Sequence, residues 1–313
     1  MKLKEISKEL NISASTISRV LNNKSGVSEK NRKLINDYLD KKNLKYSDDN
    51  TIVIIVPNLE NLHFCEVIKV INRDLMAKQY KVLIFDSNQN YDTESKIVSE
   101  VVKLRPKGVI LCINDKLDSI KSLEILNSEN ISVVIFDRDL EYSNSGVFLN
   151  DFESGILAAQ SLIKKNCKEI LIIHDSMKFK NILNRLNGIK YLLEKYKISV
   201  IEVEEINKDN FKEKKNLISD ILKNKNKIDG VIILNPSITL DTLELIKSNT
   251  FTLEEKNIVC YQLPKFISSM NKNINNITYS TKDMCNELSK LLLNKINNEN
   301  SYINKIFVKP ILT

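Results

Sequence analysis

The sequence has few of the residues and motifs that catalysis and metal binding require. Histidine occurs only twice among 313 residues, and neither His63 nor His174 has another metal-binding side chain at ligand spacing. A P-loop, a G-x-G-x-x-G turn and a G-x-S-x-G motif are all missing, so the sequence shows no phosphate cradle and no activated nucleophile. We therefore expect a protein that is not an enzyme and that uses no cofactor and no metal ion.

Disulfide and membrane-spanning patterns are also missing. The cysteines show no C-x-x-C spacing and most lie in or beside apolar segments, so we expect reduced thiols of the core. They are Cys65, Cys112, Cys167, Cys260 and Cys285. No apolar run approaches the roughly 20 residues that cross a bilayer, and no signal-peptide pattern precedes the first helical segment. These absences predict a cytoplasmic protein without a membrane partner.

The net charge of +7 is concentrated at one end of the chain. Residues 1–46 contain 11 lysines and arginines against 5 acidic residues, whereas the remaining residues contain 36 basic and 35 acidic ones. A basic segment on a nearly neutral body is typical of proteins that contact phosphates, and such binding weakens steeply as salt rises. The charge pattern therefore indicates a nucleic-acid partner for the first segment.

That basic segment has the pattern of a helix-turn-helix. Residues 2–11 (KLKEISKELN) and 13–23 (SASTISRVLNN) each predict a short helix with one apolar face, and Ile12 fills the corner between them. A third helix, residues 29–43, begins after Ser28. The apolar positions of the three helices are Leu3, Ile6 and Leu10, then Ile17, Val20 and Leu21, then Leu34, Tyr38 and Leu39. A small helical bundle without a ligand is the alternative interpretation, and the charge pattern favours DNA.

The second helix carries the side chains that we expect to contact DNA. Ser13 is placed as its N-cap, so the residues that follow project from the end that enters a major groove. Arginine bridges guanine O6 and N7, asparagine suits adenine, and small hydroxyls bond phosphates or base edges. The predicted DNA-binding residues are Ser13, Ala14, Ser15, Thr16, Ser18, Arg19 and Asn22. Double-stranded DNA is therefore the leading partner.

Residues 12–35, ISASTISRVLNNKSGVSEKNRKLI, resemble the N-terminal signature of the lac and galactose repressor family of bacterial transcription regulators. That signature runs V-S-x-x-T-V-S-R-V-L-N, then a loop, then V-S-x-x-T-R. Asn11 replaces the usual turn glycine, and asparagine tolerates a left-handed backbone better than most residues. The resemblance implies that Ala14 and Ser15 set operator preference and that Arg19 contacts a base.

The chain after residue 50 alternates strand and helix patterns. Short apolar runs bounded by polar turns predict buried parallel strands at 51–57, 81–86, 108–113, 132–137, 146–151, 169–175, 230–235 and 257–261. Amphipathic segments between them predict helices, among them 66–78, 94–104, 155–165 and 183–196. This alternation predicts an α/β body long enough for two lobes.

This body resembles the periplasmic-binding-protein-like core of the same family. VVIFDRDL (133–140) fits a strand ending in Asp-Arg, VFLNDFESGILAAQSLI (147–163) fits an N-D-x-x-x-G helix, and Arg185 with Gly188 fits R-x-x-G. KPILT (309–313) fits the closing strand. The resemblance implies two lobes with parallel sheets and three crossings of the chain between them. We expect a DNA-binding domain at 1–46, a linker at 47–50, one lobe at 51–146 plus 276–300, and another at 147–275 plus 301–313.

Polar residues at the strand ends predict a ligand site between the lobes, because open α/β sheets bind ligands at the carboxyl ends of their strands. Asp137 offers a hydroxyl acceptor and Arg185 a forked donor, which suit a sugar, a sugar phosphate or another small polar effector. Phe64 offers a stacking wall, and Asn235 and Gln262 follow two further strands. For each of these residues, an ordinary packing, strand-end or ion-pair role is the alternative.

Three departures from the family pattern bear on this expectation. Asn235-Pro236 replaces Asn-Asp, and Tyr261-Gln262 stands where the family has an acidic residue, so a carboxylate that grips sugars is missing. The family's hinge helix is also missing, because residues 46–50 read Y-S-D-D-N and lead directly into the first strand. Without a hinge leucine wedged into the minor groove, we expect little bending of the DNA.

Together these patterns predict a homodimeric bacterial transcription regulator, with repressor as the leading role, that binds two half-sites of a near-palindromic operator. A small polar effector between the lobes is expected to change operator affinity. Two alternatives stay open: a ligand-binding or protein-interaction module with weakened operator control, and a transcriptional activator of the same fold.

Overall fold

The computed structural model places three helices before two α/β lobes. It describes residues 3–21, 26–41, 50–114, 119–139, 144–177, 179–204, 206, 210–224, 228–248, 253–263, 265–270, 272–297 and 302–313. The first helices are α1 (Leu3–Leu10), α2 (Ala14–Leu21) and α3 (Glu29–Lys41). None of the described helices is long and apolar enough to span a bilayer.

A small apolar core holds the three-helix unit together. Ile6, Ile17 and Ile35, one from each helix, are fully buried. The predicted burial of Leu34 is wrong, because this side chain is 47% exposed. Ile35 takes the core position since it lies four residues before the buried Leu39, on the same face of α3.

The first lobe is built on a six-stranded parallel sheet. Its strands are β1 (Thr51–Val56), β2 (Lys81–Asp86), β3 (Gly108–Leu111), β4 (Ser132–Asp137), β5 (Gly146–Leu149) and β11 (Lys305–Val308). The spatial order is β11-β5-β4-β3-β1-β2, and every neighbouring pair is parallel. The central strands β1 and β3 are buried along their whole length, which explains why they are continuous apolar runs in the sequence.

The second lobe repeats this arrangement. Its strands are β6 (Glu169–Ile173), β7 (Ser199–Val203), β8 (Gly230–Ile233), β9 (Ile258–Tyr261), β10 (Asn275–Thr278) and β12 (Ile311–Leu312). The order is β12-β10-β9-β8-β6-β7, and only the pair of β10 with β12 is antiparallel. The predicted strands are present in both lobes, but the expected burial of residues 81–86 is wrong, because β2 lies at the sheet edge and none of its residues is buried. Strands β7, β10 and β11 were not predicted, because their apolar runs are short or interrupted by polar residues.

Helices cover both sheets. The first lobe has α4 (Leu62–Ala77), α5 (Tyr91–Leu104), α6 (Ser119–Ser128) and α12 (Thr281–Ile296). The second has α7 (Asp151–Ile163), α8 (Lys180–Lys195), α9 (Phe211–Asn224), α10 (Thr239–Ser248) and α11 (Lys265–Met270), with short 3-10 turns at Pro236–Ile238 and Glu255–Asn257. The four predicted helices begin three or four residues earlier than expected. Asn61, Asn90 and Asn150 cap three of them by accepting a hydrogen bond from a backbone N–H, and these caps set the helix starts.

The chain crosses between the lobes after β5, after β10 and after β11. Because β5 and β11 pair in the first sheet and β10 pairs with β9 in the second, residues 147–149 and 305–308 belong to the first lobe and residues 276–278 to the second. The lobe boundaries expected from the sequence differ at these three places. Strands β5 and β10 each stay with the strand before them in the chain, and β11 joins the first lobe by pairing with the remote strand β5.

The cysteines are free thiols. Cys112, Cys167, Cys260 and Cys285 are buried, as expected, whereas Cys65 is exposed. Burial raises the pKa of Cys167 to about 11 and the pKa of Cys285 to about 12, so both thiols stay protonated at neutral pH. The buried cysteines therefore act as small apolar side chains of the core.

Candidate functional site

The first candidate site is the outer face of α2. Ser13 caps this helix, because its Oγ accepts a hydrogen bond from the backbone N–H of Thr16 at 3.1 Å and lies 2.7 Å from the Thr16 Oγ1. Of the predicted DNA-binding residues, Ser13, Ser15 and Arg19 are exposed, and Ala14, Thr16 and Ser18 are half-buried. Asn22 lies outside the described residues. Ser15 and Arg19, one helical turn apart, thus form the open part of this face.

The turn between α1 and α2 forms with asparagine in place of glycine. Asn11 takes a left-handed backbone with φ of 52°, which confirms that asparagine serves this turn. The Ser7 hydroxyl donates to the carbonyl of Ile12 at 2.7 Å and ties α1 to the start of the next helix. These contacts fix the angle at which α2 is presented.

Arg19 lies against the chain that leads into α3. A Cβ added at Gly26 would come within 3.0 Å of the Arg19 Nη1, and Gly26 has a φ of +90°. Glycine is therefore favoured here by its backbone conformation, since the exposed Arg19 side chain could move away from an added Cβ. The sequence analysis missed this residue, although Ser-Gly is a common turn signal.

The second candidate site lies between the lobes, where a network of polar side chains joins Asp137 to Gln262. The Gln262 Nε2 donates to the Tyr279 hydroxyl at 3.3 Å, and this hydroxyl lies 2.8 Å from Nε2 and 2.9 Å from Nδ1 of His63. The His63 Nε2 lies 3.6 Å from the Asp137 Oδ1. Asp137 and Gln262 have φ values of 66° and 51°. Such a conformation costs a non-glycine residue about 1 to 3 kcal/mol, so the surrounding contacts must hold both residues in place.

Electrostatics keep one negative charge in this network. Burial would raise the pKa of Asp137, but the hydrogen bond and charge of His63, together with the charges of Arg138 and Arg185, outweigh burial and lower it. Burial, followed by the charge of Asp137, raises the pKa of Tyr279 well above its usual value. At neutral pH the network therefore holds a carboxylate beside a neutral phenol.

Arg185 forms a buried ion pair within the second lobe. Its Nε donates to the Asp151 Oδ1 at 2.7 Å, its Nη1 donates to the carbonyl of Leu234 at 3.2 Å, and its guanidinium lies 4.7 Å from the centre of the Tyr261 ring. Burial would lower the pKa of Arg185, but the charge of Asp151 outweighs it and raises the pKa. The ion-pair role is thus present in the structure, and a contact between Arg185 and a ligand stays a prediction.

Two glycines bring α7 and α8 close enough for that ion pair. A Cβ at Gly155 would lie 2.1 Å from the carbonyl oxygen of Arg185, and a Cβ at Gly188 would lie 2.1 Å from that of Phe152. Only glycine allows the two backbones this contact. The N-D-x-x-x-G and R-x-x-G patterns of the sequence therefore have one physical reason, which is the crossing of these helices beside the cleft.

Phe64 and Asn235 make local contacts. The Phe64 ring is 3% exposed and packs edge-on against Phe136, with ring centroids 6.1 Å apart, so the expected stacking wall is part of the core of the first lobe. The Asn235 Nδ2 donates to the Asp175 Oδ2 at 3.0 Å, and its Oδ1 accepts from the backbone N–H of Ser237 at 3.0 Å. In this structure neither side chain joins the network around Asp137.

The pocket that remains between the lobes lies at the crossings of the chain. Its wall includes Leu149, Asp151, Arg185, Tyr279, Val308 and Pro310. Its volume is about 230 Å³, including the part that is open to solvent. Its enclosed part has room for about one water molecule. The lobes thus lie close together around their own polar side chains.

Two partners in the cleft were missed by the sequence analysis. Asp151 stands in the N-D-x-x-x-G segment, so its position was visible but its pairing with Arg185 was not. Tyr279 follows β10, a strand that the sequence did not predict, and contacts a residue 216 positions away. No local signal identifies such a pair.

Comparison with known proteins identifies both units. The model "Bacterial regulatory proteins, lacI family" matches residues 2–45, and the model "Periplasmic binding protein domain" matches residues 52–267. The chain belongs to the periplasmic binding protein domain family, and its residues 2–45 form a lacI-type DNA-binding domain. Its predicted role as a DNA-binding transcription regulator, its α/β fold and the expectation that it is not an enzyme are thereby confirmed.

A curated relative and two solved structures are similar to most or all of this chain. The sucrose operon repressor of Streptococcus mutans serotype c is 24% identical over 96% of this chain and 94% of its own length. A lacI family regulator from Silicibacter pomeroyi has a TM-score of 0.72 at 18% identity, covering 100% of this chain and 98% of that chain. The Cra regulator of Pseudomonas putida in complex with fructose 1-phosphate has a TM-score of 0.73 at 16% identity, covering 84% of this chain and 98% of that chain. At these identities the solved structures show the fold.

Proposed function

We propose that this lacI family regulator is a repressor that binds a near-palindromic operator as a homodimer and responds to a small polar effector between its lobes. The observation that carries the DNA-binding part is the face of α2, where Ser15 and Arg19 are exposed beside the Ser13 cap. Arginine at such a position is suited to guanine in the major groove. The basic charge of residues 1–46 adds phosphate attraction.

An exposed apolar edge supports pairing of two copies. Strand β2 lies at the edge of the first sheet, and Leu83 and Ile84 are 40% and 42% exposed. Met76, at the end of the preceding helix, is 61% exposed. An apolar edge strand tends to pair unless it is covered. A dimer formed here would present two copies of α2 to two half-sites, which short recognition helices need for specificity.

Donors and acceptors in the cleft support a polar effector. Asp137 accepts hydrogen bonds, Gln262 both donates and accepts them, and His63 and Tyr279 complete a set that suits hydroxyl groups. A sucrose operon repressor among the relatives and a fructose 1-phosphate complex among the similar structures favour the sugar or sugar-phosphate class. Effector binding would change the separation of the two DNA-binding domains in the dimer and thereby the affinity for the operator.

The short linker favours a mechanism in which the effector controls operator binding through the distance between the two DNA-binding domains of the dimer. Residues 42–49 lie outside the described residues, and their sequence contains Asp48 and Asp49 in place of the family's hinge helix. These carboxylates repel phosphates, so we expect the linker to stay out of the minor groove. A circular permutation assay should therefore show little bending of operator DNA, and a strong central bend would contradict this part of the proposal.

Selection of genomic DNA by the purified full-length protein at two salt concentrations tests the main proposal. We expect an inverted-repeat motif to survive at the higher salt, because paired base contacts add to phosphate attraction. Arg19→Ala should lower discrimination between the selected motif and a scrambled sequence by about 1 to 3 kcal/mol per lost base contact. Lys33→Ala removes the same charge from an exposed position of α3 and should weaken both sequences equally. Recovery of only salt-sensitive, sequence-random DNA would refute operator binding.

A further inference from the structure

A series of four polar side chains joins the two lobes, and we call it the bridge. In order, it runs through Gln262, Tyr279, His63 and Asp137. His63 lies in α4 and Asp137 at the end of β4, both in the first lobe. Gln262 follows β9 in the second lobe, and Tyr279 lies on the segment that crosses from β10 back to α12. The Tyr279 hydroxyl is the centre of the bridge, since it contacts both Gln262 and His63.

Three members of this bridge are largely buried, and Gln262 is half-buried. The side chain of His63 is 8% exposed, and Asp137 and Tyr279 are 9% and 8% exposed. A buried polar group that loses its partner pays its full desolvation penalty, so each member depends on the others. Separation of the lobes would break the contact between Gln262 and Tyr279 or the contact between Tyr279 and His63, and would leave polar atoms to be satisfied by something else.

A second contact crosses the cleft beside the first. The Arg138 guanidinium, from the first lobe, lies 5.8 Å from the centre of the Phe179 ring, which precedes α8 in the second lobe. The Arg138 Nη1 also donates to the carbonyl of Ile113 at 3.1 Å, which fixes its direction. Side chains of the protein itself therefore join the lobes at this place as well.

The Tyr279 hydroxyl has the surroundings that a ligand hydroxyl would have. It accepts a hydrogen bond from an amide, lies beside an imidazole, and has a carboxylate one residue further along the network. The pocket that Tyr279 helps to line has room in its enclosed part for about one water molecule. A sugar-sized molecule needs part of the volume that the phenol now occupies.

We propose that Tyr279 is an internal latch, whose phenol holds the two lobes together through His63 and Gln262 and occupies a hydroxyl position of the effector site. The inference rests on the proposed function for the location of that site. An effector of this protein must displace the phenol and replace its hydrogen bonds, which requires a polyol or sugar hydroxyl next to Asp137. Its apparent affinity is lowered by the fraction of molecules in which the latch is closed.

Hydrogen exchange of the full-length protein without any added ligand tests the latch. Tyr279→Phe keeps the ring and removes the hydroxyl, and Tyr302→Phe removes the same atom from a side chain that is 83% exposed. We expect amides in residues 62–66 and 275–279 to exchange about 2- to 10-fold faster in Tyr279→Phe than in Tyr302→Phe, the factor that corresponds to one net hydrogen bond. His63→Leu removes the partner on the other side and should accelerate the same segments. Unchanged exchange in both latch variants would overturn the proposal.

Calorimetric titration separates the latch from the proposed effector. The probes are sucrose, ribose, fructose 1-phosphate and glucose 6-phosphate, each added to the wild type, Tyr279→Phe and Tyr302→Phe. A probe that binds should bind Tyr279→Phe about 2- to 10-fold more tightly, because the phenol no longer competes. Equal or weaker binding would overturn the competitive role of Tyr279. Binding of no probe to any variant would count against the sugar-class effector, and the exchange result would still decide the latch.

Discussion

Replacement of Arg185 by methionine tests whether the buried ion pair of the second lobe is a structural element. Arg185 and Asp151 are 3% and 7% exposed, and their contact measures 2.7 Å. Methionine keeps an unbranched chain in the same space but leaves the Asp151 carboxylate buried without its cation. Breaking a buried pair in this way costs about 3 to 5 kcal/mol. This is a large share of the roughly 5 to 15 kcal/mol that stabilises most proteins.

A double-mutant cycle assigns this cost to the pair. Asp151→Asn keeps an oxygen that accepts from the Arg185 Nε, so we expect a smaller loss, of about 1 to 3 kcal/mol. The double variant should be less destabilised than the sum of the single variants by about 0.5 to 3 kcal/mol, because it contains no unpaired buried charge. Urea unfolding followed by circular dichroism measures all four proteins.

Two outcomes would refute this reasoning. If Arg185→Met lost less than about 1 kcal/mol, the carboxylate of Asp151 would not depend on this cation. If the single losses were strictly additive, the two groups would not interact in solution. Either result would indicate that Arg185 is available to a ligand and that the contact seen here contributes little to the fold.

Two further predictions concern packing and pH. Gly188→Ala places a Cβ 2.1 Å from the carbonyl oxygen of Phe152. The free energy of unfolding, measured in urea, should therefore fall by about 1 to 3 kcal/mol. A rise, which the helix propensity of alanine alone would give, would contradict the close crossing of α7 and α8. Burial raises the pKa of Glu94 despite hydrogen bonds from Asn114 and Ser122. The stability that protonated Glu94 contributes is therefore fully present below its pKa in the unfolded chain, about 4.3. It is lost as pH rises through the pKa of Glu94 in the folded protein. Glu94→Gln should flatten the dependence of the unfolding free energy on pH above about 4.3, and an unchanged slope would refute this assignment.

The helix-turn-helix unit was largely predictable because its determinants are local. Helical period, a serine cap and an asparagine in a left-handed turn all act within a few residues, and each is found where the sequence placed it. The error at Leu34 is one of helix phase, since Ile35 is equally apolar and lies one position further along. Gly26 was missed because its contact with Arg19 crosses a loop.

The cleft shows the limit of such local reasoning. That polar residues would gather at strand ends followed from the α/β pattern, because parallel strands end at the same edge of a sheet. Which of them meet was decided by packing between elements far apart in the sequence. His63 and Tyr279 are 216 residues apart, and Arg185 reaches Asp151 only because two glycines let α7 and α8 touch.

The sequence by itself thus determined the family, the DNA-binding unit and the alternation of strands and helices, since these depend on short-range patterns of charge, period and capping. Only the tertiary structure decided the lobe to which β5, β10 and β11 belong and the partners of Asp137 and Arg185. The physical reason is that a buried polar group needs a hydrogen-bond partner, and the fold supplies that partner from distant parts of the chain. The residues next to the group in the sequence do not determine which partner it is.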